Sequence, residues 1–429
     1  MLKPDDKLDS SMGNTVTIGK LLGTGGQGTV HEARLADGSQ VAVKWFHPAS
    51  QRREVRESIT ALVEEKAPSA HFLWPDDIVT KGHEFGYVMR LRPPSFVGLP
   101  MVLGRKVGIR FSELVQAASQ TVSAFKALQA KGLFYCDISD GNLFIDPKTG
   151  EVLICDNDNV ASSRAKPQVL GTARFMAPEI VRQEKKPSAL TDSFSMAVLL
   201  FLLLMNDHPL QGKAEAQIHV FDEAAMRRIY GTHPVFIFDP SDSSNRPVPG
   251  VHLNAPVFWK LYPEVLRTVF VRVFTEGIND PGRRPSFGEW QSALTAVADA
   301  MVECASCKGQ NFVCVTRPHE IVCWRCRQRF RSPVRLVIGR SRLIVLNRTT
   351  KLYAHHLTKI GDPAAGGPAC AEVTQHPTKS ILGLRNTSRT QWLAQVPGKA
   401  HQTVAPGQSV SLTPGTKIHF GEVEGTIEA

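Results

Sequence analysis

Gly23-Thr24-Gly25-Gly26-Gln27-Gly28-Thr29-Val30 lies between two strand-like runs. Glycines at this spacing let a hairpin fold closely over phosphates with its N–H groups facing them, because no Cβ blocks the approach. A dinucleotide fold would run from such a turn into a helix. Here residues 29–35 continue as a strand, which disfavours that reading. Val41-Ala42-Val43-Lys44 follows, a strand ending in a lysine whose charge can hold the α- and β-phosphates of a nucleotide. Far downstream, Cys304-Ala305-Ser306-Cys307 and Cys323-Trp324-Arg325-Cys326 form two Cys-x-x-Cys knuckles with fifteen residues between them. Four thiolates on a tetrahedron about 2.3 Å from a Zn²⁺ make a closed structural site with no open position for catalysis. Cys314, between the knuckles, is expected to stay out of it.

These groups need a scaffold. From Thr15 to Trp45 short alternating apolar runs are broken by Gly and by Asp37-Gly38, the pattern of an antiparallel β-meander. Arg52 to Lys66 carries Val55, Ile59, Leu62 and Val63 at helical spacing, and strands resume through Tyr87 to Leu91. Beyond Phe111 helical patterns dominate, at Ser112 to Lys131, Leu190 to Met205, Pro263 to Phe274 and Glu289 to Val302. A β-rich start and an α-rich body predict an α+β architecture of two lobes with a ligand-binding cleft between them. After Val334 the composition shifts to Gly, Pro, Thr and Val with many turns, as in a small all-β domain. The expected boundaries are 12–300 for the two-lobed domain (lobes about 12–92 and 93–300), 301–332 for a four-cysteine ribbon and 333–429 for the β-domain.

A chain of 429 residues with 42% hydrophobic and 21% charged residues has ordinary globular composition. Met1 to Ser10 alternates Asp and Lys and reads as neither a secretory signal nor a membrane anchor. Met196 to Met205 is apolar for ten residues, half of the roughly 20 that a membrane span needs, so it predicts a buried helix. A cytoplasmic protein without a membrane partner is expected. The net charge of +10 is mild for this length and fits a solvated basic surface better than a nucleic-acid partner. The ribbon's six cations, Arg317 among them, face Glu303 and Glu320, and four thiolates with one Zn²⁺ lower the balance further.

The glycine loop and Val-Ala-Val-Lys resemble the eukaryotic-type protein kinase family. Asp137, followed five residues later by Asn142, resembles its catalytic loop, and Asp156, fourteen residues further, its metal-binding aspartate. The resemblance implies that Lys44 holds phosphates, Asp137 accepts the substrate hydroxyl's proton, and Asn142 and Asp156 hold Mg²⁺. It implies ATP contacts at Gly23, Gly25, Gly28, Val30 and Ala42, with Met89 behind the adenine and Arg90, Leu91 and Arg92 as hinge. A glutamate on the next helix should orient Lys44. Glu57 is chosen, with Glu54, Glu64 and Glu65 as competitors. Gly171 to Glu179 resembles the end of an activation segment, Asp192 the buried anchor of the catalytic loop, and Arg284 the buried partner of Glu179.

The departures are informative. Tyr135-Cys136 replaces His-Arg before the catalytic aspartate, which implies a loop ordered without phosphorylation. Ser139 replaces a lysine, and Asp156-Asn157-Asp158 replaces Asp-Phe-Gly, leaving Asp158 as an alternative or additional ligand. The C-terminal domain, with Gly339-Arg340-Ser341, resembles a degenerate forkhead-associated sandwich that departs from the family at its Ser-x-x-His and Asn-Gly elements. Kinase, ribbon and β-domain together resemble bacterial kinases of tellurite-resistance loci, which implies a von Willebrand A-domain protein and a metal-dependent phosphatase as partners. The expected activity is ATP-dependent phosphorylation of protein Ser or Thr, the chain itself included, with Ser162, Ser163 and Thr172 as sites to watch. A nucleotide-binding scaffold is the alternative, followed by a nucleic-acid-binding regulator.

Overall fold

The computed structural model describes residues 2–162, 171–313, 320–339, 342–359, 361–363, 366–376 and 381–429. Ser163, Cys314, Arg317, Arg340 and Ser341 lie outside them. The chain divides into two compact units. The first joins Met1–Ile109, Gln116–Val251 and Val273–Arg284; the second joins Arg110–Val115, His252–Arg272 and Pro285–Ala429.

In the first unit six antiparallel strands close a barrel: β1 (Lys7–Ser10), β2 (Thr15–Thr24), β3 (Gly28–Leu35), β4 (Gln40–Phe46), β5 (Asp77–Lys81) and β6 (Glu84–Arg90). The order is β1-β2-β3-β4-β6-β5, and β1 completes the ring by pairing with β5. The lobe therefore begins ahead of residue 12. Leu2 and Leu8, inconspicuous among Asp and Lys, are buried with Val16, Ile18, Val43, Trp45, Val79 and Val88 in the barrel interior. Ser10 and Ser11 donate hydrogen bonds to buried Asp77, tying β1 to β5.

Strand alternation sets the cleft face. Val43 and Trp45 fill the barrel, so Ala42, Lys44 and Phe46 point the other way. Opposite them in β6, Met89 pairs with Ala42 and Tyr87 with Lys44. The helix α1 (Arg53–Glu65) buries Val55, Ile59 and Leu62, and the Trp74 indole donates to the Leu62 carbonyl at 2.8 Å.

Downstream lie α2 (Leu99–Leu103), α3 (Phe111–Ala130), α4 (Pro178–Val181) and α5 (Ala189–Met205), with short strands between them: β7 (Val97–Gly98), β8 (Leu133–Phe134), β9 (Leu143–Ile145), β10 (Val152–Ile154) and β11 (Ala161–Ser162). α5 starts on a capping box between Ser188 and Thr191, and all of it from Phe194 to Met205 is buried. Phe194, Phe201 and Phe236 each pack on Phe274. Among the described residues, no helix is long and apolar enough to cross a membrane.

The second unit does not break at residue 300. Phe111 packs edge-on against Phe258, Tyr262 and Trp324 and also touches Phe312, so the ribbon shares an aromatic core with helical residues before it. Gln310 accepts from the Ser112 N–H at 3.0 Å and donates to its hydroxyl at 2.9 Å. The ribbon is two hairpins, Met301–Glu303 with Gln310–Phe312 and Glu320–Val322 with Arg329–Arg331. Beyond it a six-stranded and a four-stranded sheet enclose one core, with Trp392, Leu336, Leu384 and Ile418 fully buried. This is the all-β domain the composition predicts.

Candidate active site and four-cysteine centre

The hairpin of β9 and β10 sets Asn142 and Asp156 just beyond the same end of its ladder. Its register pairs Leu143 with Ile154, so Asn142 and Cys155 flank the same end, and the Cys155 N–H donates to the Asn142 carbonyl at 3.0 Å. The Asn142 amide nitrogen donates to the Asp137 carbonyl at 3.0 Å, which leaves the amide oxygen as the atom that could meet a cation. Asp156 follows in the left-handed region at φ 55°, a conformation that costs a non-glycine residue energy. Its side chain is 46% exposed. Hard oxygen donors of this kind fit Mg²⁺.

The loop that carries Asp137 is held from behind. Asp192, at the start of α5, accepts from the backbone N–H groups of Tyr135 and Cys136. Burial pushes its carboxyl up to about 7 against the pull of those two donors. The Tyr135 hydroxyl donates to the Cys155 carbonyl, linking the loop to the turn that carries Asp156. Burial also raises the Cys155 thiol well above its usual range, so it stays protonated. From the front, the Thr172 hydroxyl donates to Asp137 Oδ1 at 2.7 Å, so Thr172 is part of the loop's support. A Cβ on Gly171 would lie 2.7 Å from the Cys136 carbonyl, which keeps that position glycine. Arg174 pairs with Asp140, next to Ser139.

Lys44 crosses from the barrel to this turn. Its Nζ lies 2.8 and 2.9 Å from the two Asp158 oxygens and 3.3 Å from Asp156 Oδ1. Burial opposes the Lys44 charge, but Asp158 and Asp156 outweigh it and raise the pKa. The expectation for Glu57 is corrected: it is exposed and pairs with Arg53 at 2.7 Å. Glu54, Glu64 and Glu65 are exposed as well. Val55, Ile59 and Leu62 define the buried face, and Glu57, two residues from both Val55 and Ile59, falls on the far side at 100° per residue. That helical phase was the available signal.

The other residues expected at a nucleotide sit as follows. Gly23 and Gly25 are exposed; a Cβ on Gly23 would meet open space and one on Gly25 would lie 3.9 Å from the Gly28 carbonyl oxygen, while the Gly25 carbonyl meets the His47 ring nitrogen at 3.1 Å. Gly28 has a different reason: a Cβ there would lie 2.3 Å from the Trp45 carbonyl oxygen, so strand packing demands it. Val30 is opposite Lys44, and Ala42 and Met89 are buried partners. Arg90, the last residue of β6, donates to the Ala70 carbonyl at 2.7 Å; past it Leu91 is half-buried and Arg92 stacks over Phe144 at 4.4 Å.

Arg284 and Glu179 form the anticipated pair at 2.8 and 2.9 Å, with the guanidinium also donating to the carbonyls of Gly277 and Leu190.

In the second unit Cys304, Cys307, Cys323 and Cys326 converge, all four Sγ atoms within 4.8 Å of one another. The two knuckles repeat one turn, with Lys308 N–H to the Cys304 carbonyl and Arg327 N–H to the Cys323 carbonyl, each 2.9 Å. Lys308 and Arg327 are both left-handed. The Cys304–Cys326 and Cys307–Cys323 separations of 3.7 and 3.6 Å match the edge of about 3.8 Å that a tetrahedron of 2.3 Å Zn–S bonds has. Burial opposes ionisation of Cys323, yet N–H groups of its knuckle and the Asn311 amide bring its thiol down to about 6.

A family model described as protein kinase domain matches residues 16–248, more than half of the chain. The chain is 24% identical over 214 residues to serine/threonine-protein kinase pim-2 of Danio rerio, covering 46% of this chain and 69% of that protein. It is 25% identical over 224 residues to a putative CBL-interacting protein kinase 13 of Oryza sativa subsp. japonica, covering 46% and 40%. A putative serine/threonine-protein kinase/receptor of Acanthamoeba polyphaga mimivirus is 25% identical over 217 residues, 47% of this chain but 13% of the viral protein. The chain thus spans well under two thirds of the length of several of these relatives. With its motifs ordered around one cleft and the family match running across both the barrel and the loop of Asp137, the chain belongs to the protein kinase family.

Proposed function

We propose that this chain transfers the γ-phosphoryl group of ATP to Ser or Thr hydroxyls of proteins, itself included. The observation that carries the proposal is the 3.3 Å approach of Lys44 to Asp156 across 112 residues, with the Asn142 amide donating to the Asp137 carbonyl in the preceding loop. Lys44 would hold the phosphates under the loop of Gly23 and Gly25, with Val30, Ala42 and Met89 around the base and Arg90 to Arg92 as hinge. Asn142 and Asp156 would hold Mg²⁺, which when bound neutralises charge on the phosphates. Asp137, fixed by Thr172, accepts the hydroxyl proton as the substrate oxygen bonds to the γ-phosphorus. The bond from that phosphorus to the bridging oxygen breaks, and the electron pair leaves with ADP. The Ser/Thr assignment is supported by the similarity to serine/threonine-protein kinases of Danio rerio and of the mimivirus.

The same reading takes the four cysteines as a structural Zn²⁺ site and the C-terminal sandwich as forkhead-associated-like, with no phosphopeptide role assigned. It takes the protein as cytoplasmic and bacterial. A von Willebrand A-domain protein and a phosphatase are partners only on the resemblance of layout. Incubation with labelled ATP and Mg²⁺ tests the activity: Asp137→Ala should lower label transfer by about 10²- to 10⁴-fold while leaving nucleotide binding in place. Buried Ser139, standing where the family carries a lysine, favours the scaffold reading instead. Nucleotide binding with no transfer to self or to added protein would establish that reading and sink the kinase one.

A further inference from the structure

Two carboxylates reach Lys44, and their surroundings differ. Asp156 is 46% exposed on the open side of the cleft, whereas the Asp158 side chain is 2% exposed and gives both oxygens to Nζ. The Tyr87 hydroxyl donates to Asp158 Oδ1 at 3.3 Å from the strand beside Lys44. The turn that presents Asp158 is pinned by its neighbour. Asn157 is fully buried, and its amide donates to the carbonyls of Leu73 at 2.8 Å and Ile154 at 3.1 Å. Asparagine in place of an apolar ring therefore plugs the turn into backbone instead of into a side-chain pocket.

One lysine between two carboxylates poses a conflict if one of them must also bind a cation. A buried ammonium left without a dedicated anion would lean on Asp156 and compete with the metal. No glutamate of α1 can relieve this, since all four are exposed. Resting on the nucleotide-site reading, we propose that Asp158 is the positioning residue for Lys44. Its hold on the ammonium leaves Asp156 free for Mg²⁺ and makes the placement of Lys44 independent of α1. The control that a swinging helix exerts through a glutamate is then absent, and the metal-binding turn itself sets the lysine.

The test is a titration of the full chain with Mg²⁺ at fixed fluorescent trinitrophenyl-ATP, reading nucleotide binding and not turnover. Asp158→Asn, nearly isosteric, should raise the half-saturating Mg²⁺ about 10- to 100-fold, because Lys44 then occupies Asp156. Lys44→Met/Asp158→Asn should bring it back to within about threefold of Lys44→Met alone, a restoration that a misfolded single variant cannot give. Glu57→Gln should leave the titration unchanged. A shift that persists in the double variant would make Asp158 a metal ligand and overturn the proposal. An unshifted Asp158→Asn, or an equal shift in Glu57→Gln, would overturn it too. If the wild type binds nucleotide but transfers no phosphate, the kinase reading alone fails and the Mg²⁺ series still decides. A wild type that binds no nucleotide removes both.

Discussion

Two buried ion pairs in the first unit are built for different ends. Arg284 and Glu179 are 1% and 6% exposed, doubly bonded, and surrounded by further acceptors, with the guanidinium over the Phe194 ring. All three nitrogens of that guanidinium donate within the fold. Lys44 and Asp158 are as deeply buried, but Asp156 beside them opens to the cleft. A closed pair can only hold structure; a pair with one exposed carboxylate can exchange partners with a ligand. Burial alone therefore does not separate a structural charge from a chemical one, whereas the exposure of the third group does.

The contrast breaks first at the closed pair. Arg284→Ala leaves Glu179 charged in an apolar site and should cost about 3–5 kcal/mol in urea unfolding. A paired Glu179→Gln/Arg284→Met change should cost clearly less. An equal cost would mean that the packing, not the orphaned charge, carries the stability.

A buried group that carries no charge sharpens the comparison. His208 accepts the Leu210 N–H at Nδ1, 3.1 Å, so Nε2 carries the proton and donates to the Arg174 carbonyl at 2.8 Å. Burial brings its pKa from 6.5 down to about 3. The unfolded chain thus takes up a proton near pH 6.5 and the native one only near pH 3. Stability from this residue is complete above pH 6.5 and is lost as pH falls toward 3. Unfolding free energies measured from pH 7 to pH 4 should fall less steeply in His208→Gln than in the wild type.

The smallest effect belongs to the exposed pair. Glu57→Ala removes an i,i+4 contact with Arg53 and should change stability by no more than about 0.5 kcal/mol. A loss of several times that size in thermal melts would place Glu57 in a buried role after all.

How much was legible depended on how far each residue's partner lay from a motif. Asp192, Glu179 and Arg284 could be read because each belongs to a segment with its own pattern, and their geometry follows from the motif order. The four cysteines were legible for a local reason, since two knuckles of one geometry need only to meet. Leu2 and Leu8 were not, because a short strand gives too few residues for alternation to stand out from the charges beside it. Nor was the shared core of Phe111, Phe258, Tyr262 and Trp324, in which single aromatics come from three separate stretches.

By itself the sequence determined the family, the β-rich start, the α-rich body and the β-rich C-terminal region, and the four cysteines that meet. These rest on local spacing, and local spacing survives without coordinates. Only the tertiary structure decided the partner of Lys44. That choice turned on helical phase, which aimed Glu57 at solvent, and on a turn 114 residues from the lysine that carried Asp158 under its ammonium.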